Sequence, residues 1–274
     1  MSLFTVDPEK CKRDGICADT CPPGIINFEN KDSTPVPVAG AEVSCIFCGH
    51  CVAVCPQGAL SHKAMSPEDC QPIEKGLRLT PAQARQLFRA RRSIRVYQDR
   101  PVPRDILNGL IRTATYAPSG HNVQPTHWMV LYGSDEVRRL SDLTVAYLRI
   151  VLEENPGFAK ALHVPEVIAA WEAGHDHVFR GAPHVVLCHA PADERTAPMG
   201  CVIALTYLEL AAAAHGLGTC WTGYFNDATE KYPPLKEALR LPEGHKNFGA
   251  MTIGYPKYRY RLVPLRNAPR INWR

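Results

Sequence analysis

Two stretches of the 274-residue chain set thiols at spacings that thiolate–iron chemistry uses. Residues 45–56, CIFCGHCVAVCP, place Cys45, Cys48, Cys51 and Cys55 ahead of Pro56, the run C-x2-C-x2-C-x3-C-P that ligates iron–sulfur clusters. Residues 11–22, CKRDGICADTCP, match it at Cys11, Cys17, Cys21 and Pro22 but put Asp14 where the second cysteine belongs. Every matching position is offset by 34 residues, and the following segments PPGIINF and PQGALSH continue the correspondence. The pair is therefore an internal duplication. Zinc is the competing reading for paired thiols, but its tetrahedral sites normally draw on separated C-x2-C pairs.

In a two-cluster arrangement the fourth cysteine of each run ligates the other cluster. Transferred to this chain, Cys21, Cys45, Cys48 and Cys51 hold one cluster. Cys11, Cys17 and Cys55 hold the other, with Asp14 beside its fourth iron. Three thiolates suffice for a [3Fe-4S] cluster; a carboxylate or water on a fourth iron gives [4Fe-4S], with the harder oxygen ligand making that iron the more easily lost. Two further readings stand: Asp14 as a solvated turn residue, and Cys70 as the fourth ligand if the chain folds back. Residues 3–65 resemble the ferredoxins that carry two iron–sulfur clusters, which implies a small ferredoxin-like domain at 1–65.

The other polar constellations lie beyond a connection at 66–86, where Thr80 and Pro81 are suited to start a helix. RRSIRVY, residues 91–97, gathers Arg91, Arg92 and Arg95 around Ser93. It is either a phosphate clamp, because guanidinium presents a rigid fork to phosphate oxygens, or a solvated basic helix end. APSGHNVQP, residues 117–125, offers Asn122 and Gln124 to a flat heteroaromatic edge, or is a plain surface loop. HGLGTCWTGYF, residues 215–225, lets backbone amides approach a ring closely.

Taken together, Arg91 to Arg95, Pro118 to Pro125, Arg180 to Pro183, Gly216 to Trp221, and Gly254-Tyr255-Pro256 with Pro264 and Arg266 resemble the nitroreductase family of flavoproteins over residues 88–270. The resemblance implies a homodimer with FMN at its interface. Arg91, Ser93 and Arg95 would grip the phosphate and ribityl end, joined by Arg266, with Arg92 facing solvent or the other chain. Pro118, Ser119 and Asn122 would line the ring, from the partner subunit, and Gln124 would reach a polar ring edge. Thr222 and Gly223 would approach the ring through their backbone. No catalytic side chain is assigned, because the chemistry is the flavin's.

The elements that must position these residues alternate in type. VPRDILNGLIRTATYA has apolar residues at helical spacing. HWMVLYG, APHVVLCHA and NFGAMTIGYP read as strands, and CVIALTYLELAAAAHG as a buried helix. The expected fold is α+β: a nitroreductase-like α/β/α layered domain at 87–274, preceded by the iron–sulfur domain. Residues 156–180 are expected to form a helix and loop, with Trp171, His175 and His177 either touching substrate or serving as ordinary surface and core residues. Cys188, Cys201 and Cys220 sit among apolar neighbours and are given no catalysis.

Composition bounds the function. A formal charge of +4, with no long basic block, gives no nucleic-acid groove. The start MSLFTVDPEK lacks the pattern of a secretory signal, Glu209 and His215 interrupt the most apolar segment, and eight of the 11 cysteines fall in the first 70 residues. The expectation is a cytoplasmic protein away from membranes. No GxGxxG fingerprint is present. The combination implies an FMN-dependent iron–sulfur oxidoreductase. It would take electrons through its clusters, from a soluble ferredoxin or other donor protein, or directly from NAD(P)H. It would reduce an organic acceptor such as a nitroaromatic, quinone or activated alkene. The alternative is a protein-to-protein redox carrier or sensor with no small-molecule turnover.

Overall fold

The computed structural model describes residues 2–274. They form two compact units, one made of residues up to Arg78 with His121–Val123, the other of Leu79–Gly120 and Gln124–Arg274. The connection drawn at 66–86 is thus divided, its first part belonging to one unit and its last to the other.

In the first unit the sequence duplication is also a backbone duplication. Arg13 and Phe47 are left-handed at φ 56° and 53°, Gly15 and Gly49 at 79° and 71°, Gly24 and Gly58 at 64° and 58°, each pair 34 residues apart. Gly15 and Gly49 start the short helices α1 (Ile16–Asp19) and α3 (His50–Val54); α2 (Ala41–Ser44) lies between them in sequence. A strand follows each repeat, β2 (Ile26–Asn27) and β4 (Leu60–His62). β4 pairs antiparallel with β1 (Phe4–Val6), and β2 with β3 (Val36–Pro37). Leu3, Phe4, Ile25, Ile26, Val52 and Leu60 make a core of few side chains, which is what a domain this small can build.

The second unit opens with α4 (Pro81–Ala90). Gln83 N–H donates to Thr80 Oγ1 at 3.2 Å while Thr80 N–H donates to Gln83 Oε1 at 2.9 Å, a reciprocal cap. Its sheet contains β5 (His127–Tyr132), β6 (His184–Pro191), β7 (Gly218–Trp221) and β8 (His245–Gly254), ordered β5-β6-β8-β7 and antiparallel throughout. β6 is apolar without alternation because both faces are covered. Val185 and Leu187 pack with α6 (Ser134–Glu154), α7 (Pro156–Ala161), α8 (Val164–Glu172), α10 (Gly223–Lys231) and α11 (Pro233–Leu239). Val186 packs with α5 (Arg104–Ala114) and α9 (Ala197–Ala214) on the other face. These three layers are the α/β/α arrangement expected. On composition α9 is long and apolar enough to cross a bilayer; Cys201, Ala204, Leu205, Leu208 and Ala212 are instead buried within the unit.

Candidate functional site

In the first unit Cys21, Cys45, Cys48 and Cys51 line one cleft, together with Phe47, Gly49 and His62. The helix that starts at Gly49 carries Cys51, while Cys45 and Cys48 sit on the turn before it. Polar hydrogens already face the sulfurs: Phe47 N–H lies 3.5 Å from Cys45 Sγ, Ala59 N–H 3.3 Å from Cys55 Sγ, and His62 Nε2 3.6 Å from Cys45 Sγ. Donors so placed favour thiolate and tune a cluster bound to it.

Within this unit burial raises two of the thiols, Cys51 and Cys17. Cys51 is pushed up to about 11, mainly by burial, with Cys48 and Cys21 as its charged neighbours. Burial likewise raises Cys17, whose neighbours are Cys55 and Asp14. Asp14 Oδ1 accepts from Ile16 N–H at 3.2 Å, the turn role foreseen as an alternative. Cys11 is half-buried, and Cys70 packs against the core of the unit.

In the second unit a cavity of about 450 Å³ opens between α6, the 177–180 segment, the end of β7 and the start of α10. It is lined by Arg95, His177, Arg180, Cys220, Trp221, Thr222, Gly223 and Tyr224, with Leu148, Val151, Phe158 and Leu162 as an apolar wall. Ile94 N–H donates to Thr219 carbonyl at 2.9 Å, so the Ser93–Arg95 segment lies along β7 and Arg95 comes to the cavity. Among the described residues Arg95 and Arg180 have no carboxylate partner. The Cys220 thiol, raised by burial, feels the opposing pull of Arg95, Arg180 and Arg91. Two guanidiniums, Arg95 and Arg180, therefore line the cavity, while Arg91 opens with Glu209 and Thr219 onto a neighbouring cleft.

Arg180 was not among the candidate binding residues above. Its signal is the RGAP turn itself, where Arg180 holds the left-handed φ of 62°, a conformation that a long side chain adopts only at a local cost. Glu209 was also missed. This carboxylate is 7% exposed and takes Arg91 Nη1 at 2.9 Å and Thr219 Oγ1 at 3.2 Å. Arg91 is thus partly neutralised before any phosphate arrives. Arg92 turns back to the carbonyls of Arg89 and Ala90.

The backbone at the end of β7 divides its duties. Thr222 N–H donates to Ala250 carbonyl at 3.2 Å and Thr222 Oγ1 to the same oxygen at 3.0 Å. Thr222 has no amide to give a ligand. Gly223 begins α10, and the first amides of a helix have no intrahelical acceptor, so Gly223 is a free donor at the end of the cavity. The cavity wall is tied by Tyr224 Oη donating to Leu162 carbonyl at 2.6 Å and Tyr147 Oη donating to Asp227 Oδ2 at 2.6 Å.

Other candidates lie apart from this cavity within one chain. Pro118, Ser119 and Gln124 line a separate pocket with Trp128 and Gly200, where Ser119 Oγ accepts from Gln124 N–H at 2.9 Å. Asn122 belongs to the first unit and donates through Nδ2 to the carbonyls of Phe47 at 3.1 Å and Ile46 at 3.3 Å. Arg266 lies on an exposed, extended tail. Of the three residues of the 156–180 segment, His177 reaches the cavity, Trp171 packs against the core under the Arg138 guanidinium at 4.6 Å, and His175 is exposed.

The layered fold and the basic cavity define an oxidoreductase of the nitroreductase type. Residues 88–255 match the Nitroreductase family, and residues 9–60 match the 4Fe-4S dicluster domain. The chain belongs to the nitroreductase family and carries a 4Fe-4S ferredoxin domain ahead of the family fold. A 4-nitrobenzoate reductase of Nocardioides sp. is 28% identical over 62% of this chain and 78% of its own length. A nitroreductase with bound FMN from Desulfitobacterium hafniense shares the fold at TM-score 0.56 and 20% identity, over 69% of this chain and 96% of that one. An FMN and NADPH-dependent nitroreductase from sphigopyxis sp. does so at TM-score 0.51 and 22% identity, over 67% and 95%.

Proposed function

We propose that the protein collects electrons on two iron–sulfur clusters and on FMN and delivers them to an organic acceptor, a nitroaromatic, quinone or activated alkene. The observation that carries this is the pairing of Arg95 and Arg180 in a cavity that ends at the free amide of Gly223, in a chain that also holds the cysteine runs.

The donor set fits FMN. Two unpaired guanidiniums suit a phosphate, the apolar wall of Leu148, Val151 and Phe158 suits a flat ring, and a fixed amide at a helix start favours negative charge. FMN, when bound, supplies one-electron and two-electron chemistry, which matches single-electron carriers to two-electron acceptors. Arg95 and Arg180 would hold its phosphate, with Arg91, Ser93 and Arg266 beside it, and Gly223 would donate to the ring. Glu209 fixes the guanidinium of Arg91, and Tyr224 and Tyr147 hold the wall that keeps water from the ring. Pro118, Ser119, Asn122 and Gln124 would reach the flavin from a second copy of the chain. Met199, Val202 and Tyr207, exposed on α9, are apolar surface that such a copy would cover. A cytoplasmic location follows from the reduced thiols this reading needs.

In the first unit, Cys21, Cys45, Cys48 and Cys51 would hold one cluster. Cys11, Cys17 and Cys55 would hold the other, with Asp14 at its fourth iron. The test is anaerobic purification with iron, sulfide and FMN analysis, followed by turnover. Reduced ferredoxin or NAD(P)H serves as donor, and 4-nitrobenzoate, a quinone or an enone as acceptor. Stoichiometric flavin and multiple turnovers with at least one acceptor support the proposal. Electron exchange with a protein and no acceptor reduced would make it a carrier, and zinc in place of iron and sulfide would overturn the cluster reading.

A further inference from the structure

Three histidines away from the cavity come together on one face of the four-stranded sheet. His127 opens β5, His189 lies near the end of β6, and His245 opens β8. Strand pairing sets His127 directly opposite His189. The register shift after Cys188 sets His189 opposite Asn247, two residues along β8 from His245. Because side chains two residues apart share a face, three neighbouring strands deliver imidazoles to one patch. The ring centroids are 5.4 Å apart for His127 and His189, 4.9 Å for His127 and His245, and 5.1 Å for His189 and His245. Nδ1 of His189 and Nδ1 of His245 are 2.9 Å apart. One of them carries the proton and donates to the other.

We propose that His127, His189 and His245 form a binding site for one divalent transition-metal ion of the zinc class, separate from the cysteine runs and from the basic cavity. Imidazole nitrogens around tetrahedral zinc lie about 3.4 Å from one another, given zinc–nitrogen bonds of about 2.0–2.1 Å. The His189–His245 pair needs only a slight opening to reach that spacing. As the ion enters, the ring that carried its proton on Nδ1 takes it on Nε2 instead, which frees the second Nδ1 lone pair while both rings stay neutral. Buried His189 is the fixed member of the triad at 6% exposure, His245 is half-buried, and His127 is exposed and swings in from solvent. Among the described residues no three donors already converge on one point, and this holds for the cysteine runs as well; the swing of His127 is part of binding. A purely imidazole set selects zinc, copper or nickel over magnesium and calcium, which prefer oxygen.

The test uses protein loaded with its clusters and flavin, titrated under argon with Zn²⁺ alone by calorimetry, alongside His127→Ala and His245→Ala. Both substitutions are outside the buried core, so His189 and the fold are left in place. The expected result is one saturable site per chain, weakened about tenfold or more in each variant, with iron and flavin contents unchanged. Absence of saturable binding would overturn the proposal, as would binding that both variants retain, which would place the ion elsewhere. Neither variant touches a cysteine or a cavity residue, so failure here leaves the flavin reading standing.

Discussion

The two units build their sites by opposite means. In the first, the thiols occur within two runs, on turns whose left-handed residues recur at Arg13 and Phe47, Gly15 and Gly49, Gly24 and Gly58. In the second, Arg95, Arg180 and Gly223 come from three separate places in the chain and meet only because the sheet and its helices bring them together. A site made of adjacent ligands around a small core depends on every ligand. A site assembled on a large core degrades by degrees.

The largest effect that would sharpen this contrast is Cys48→Ser. It removes one thiolate from a four-thiolate set, and iron and acid-labile sulfide should fall by about half or more; full iron content by chemical analysis would break the assignment. Next is Phe225→Ala in the second unit. Phe225 is fully buried and meets Phe179 edge-on at 4.9 Å, so its truncation should cost about 3–5 kcal/mol in denaturant unfolding. Iron should be retained, and its loss would show that the units do not stand on their own cores.

Acid should act on the second unit at His184, which is fully buried. Both ring nitrogens face backbone donors, Nε2 the Val102 N–H at 2.9 Å and Nδ1 the Gly133 N–H at 3.2 Å, the latter shared with Pro183 carbonyl at 3.1 Å, so nothing around the ring accepts from a second proton. Burial pushes His184 down from 6.5 to about 4. The unfolded chain therefore binds a proton that the folded one refuses. Stability present above pH 6.5 is lost as pH falls toward 4, by about 3 kcal/mol from this group. Denaturation of His184→Gln should be flatter over that range; an equal slope would remove His184 from the account.

A smaller effect is expected for Arg95→Ala, which removes one charge-assisted contact among several. FMN should bind about 10–100-fold more weakly by fluorescence titration, and unchanged affinity would move the phosphate elsewhere. Smallest is Asp14→Cys, which supplies the missing thiolate. Total iron should stay as it is in the anaerobic protein, while conversion to a three-iron EPR signal on oxidation should disappear. Persistence of that signal would mean that position 14 does not face the cluster.

What was legible in the sequence follows the same contrast. The cysteine spacing and its repeat are local, so the backbone repeat of the first unit could be read directly. Strands β5, β6 and β8 and helices α5 and α9 announced themselves by apolar runs or helical spacing. Nothing in the motifs singled out residues 134–154, although α6 is the longest helix and walls the cavity through Leu148 and Val151; its polar surface dilutes the pattern. Glu209 read as an interruption of an apolar helix. Its role depends on Arg91, 118 residues away in sequence, and no local pattern reports such a partner. The commitment of the Thr222 amide to Ala250 was equally hidden, because it is a property of strand pairing rather than of the Thr222–Gly223 dipeptide.

Gly218 gives one further consequence. Ile94 packs where a side chain at Gly218 would stand, and Gly218 opens the strand on which the Ser93–Arg95 segment rests. The placement of Arg95 is thus inherited from a hydrogen atom on another strand. Variation at Arg95 can be graded, since lysine or glutamine still reaches the cavity. Variation at Gly218 admits almost no intermediate, because even alanine must displace Ile94 and with it the segment that carries the charge. In mutational terms a position that lies outside the basic cavity and need never touch the ligand constrains it more tightly than Arg95 does.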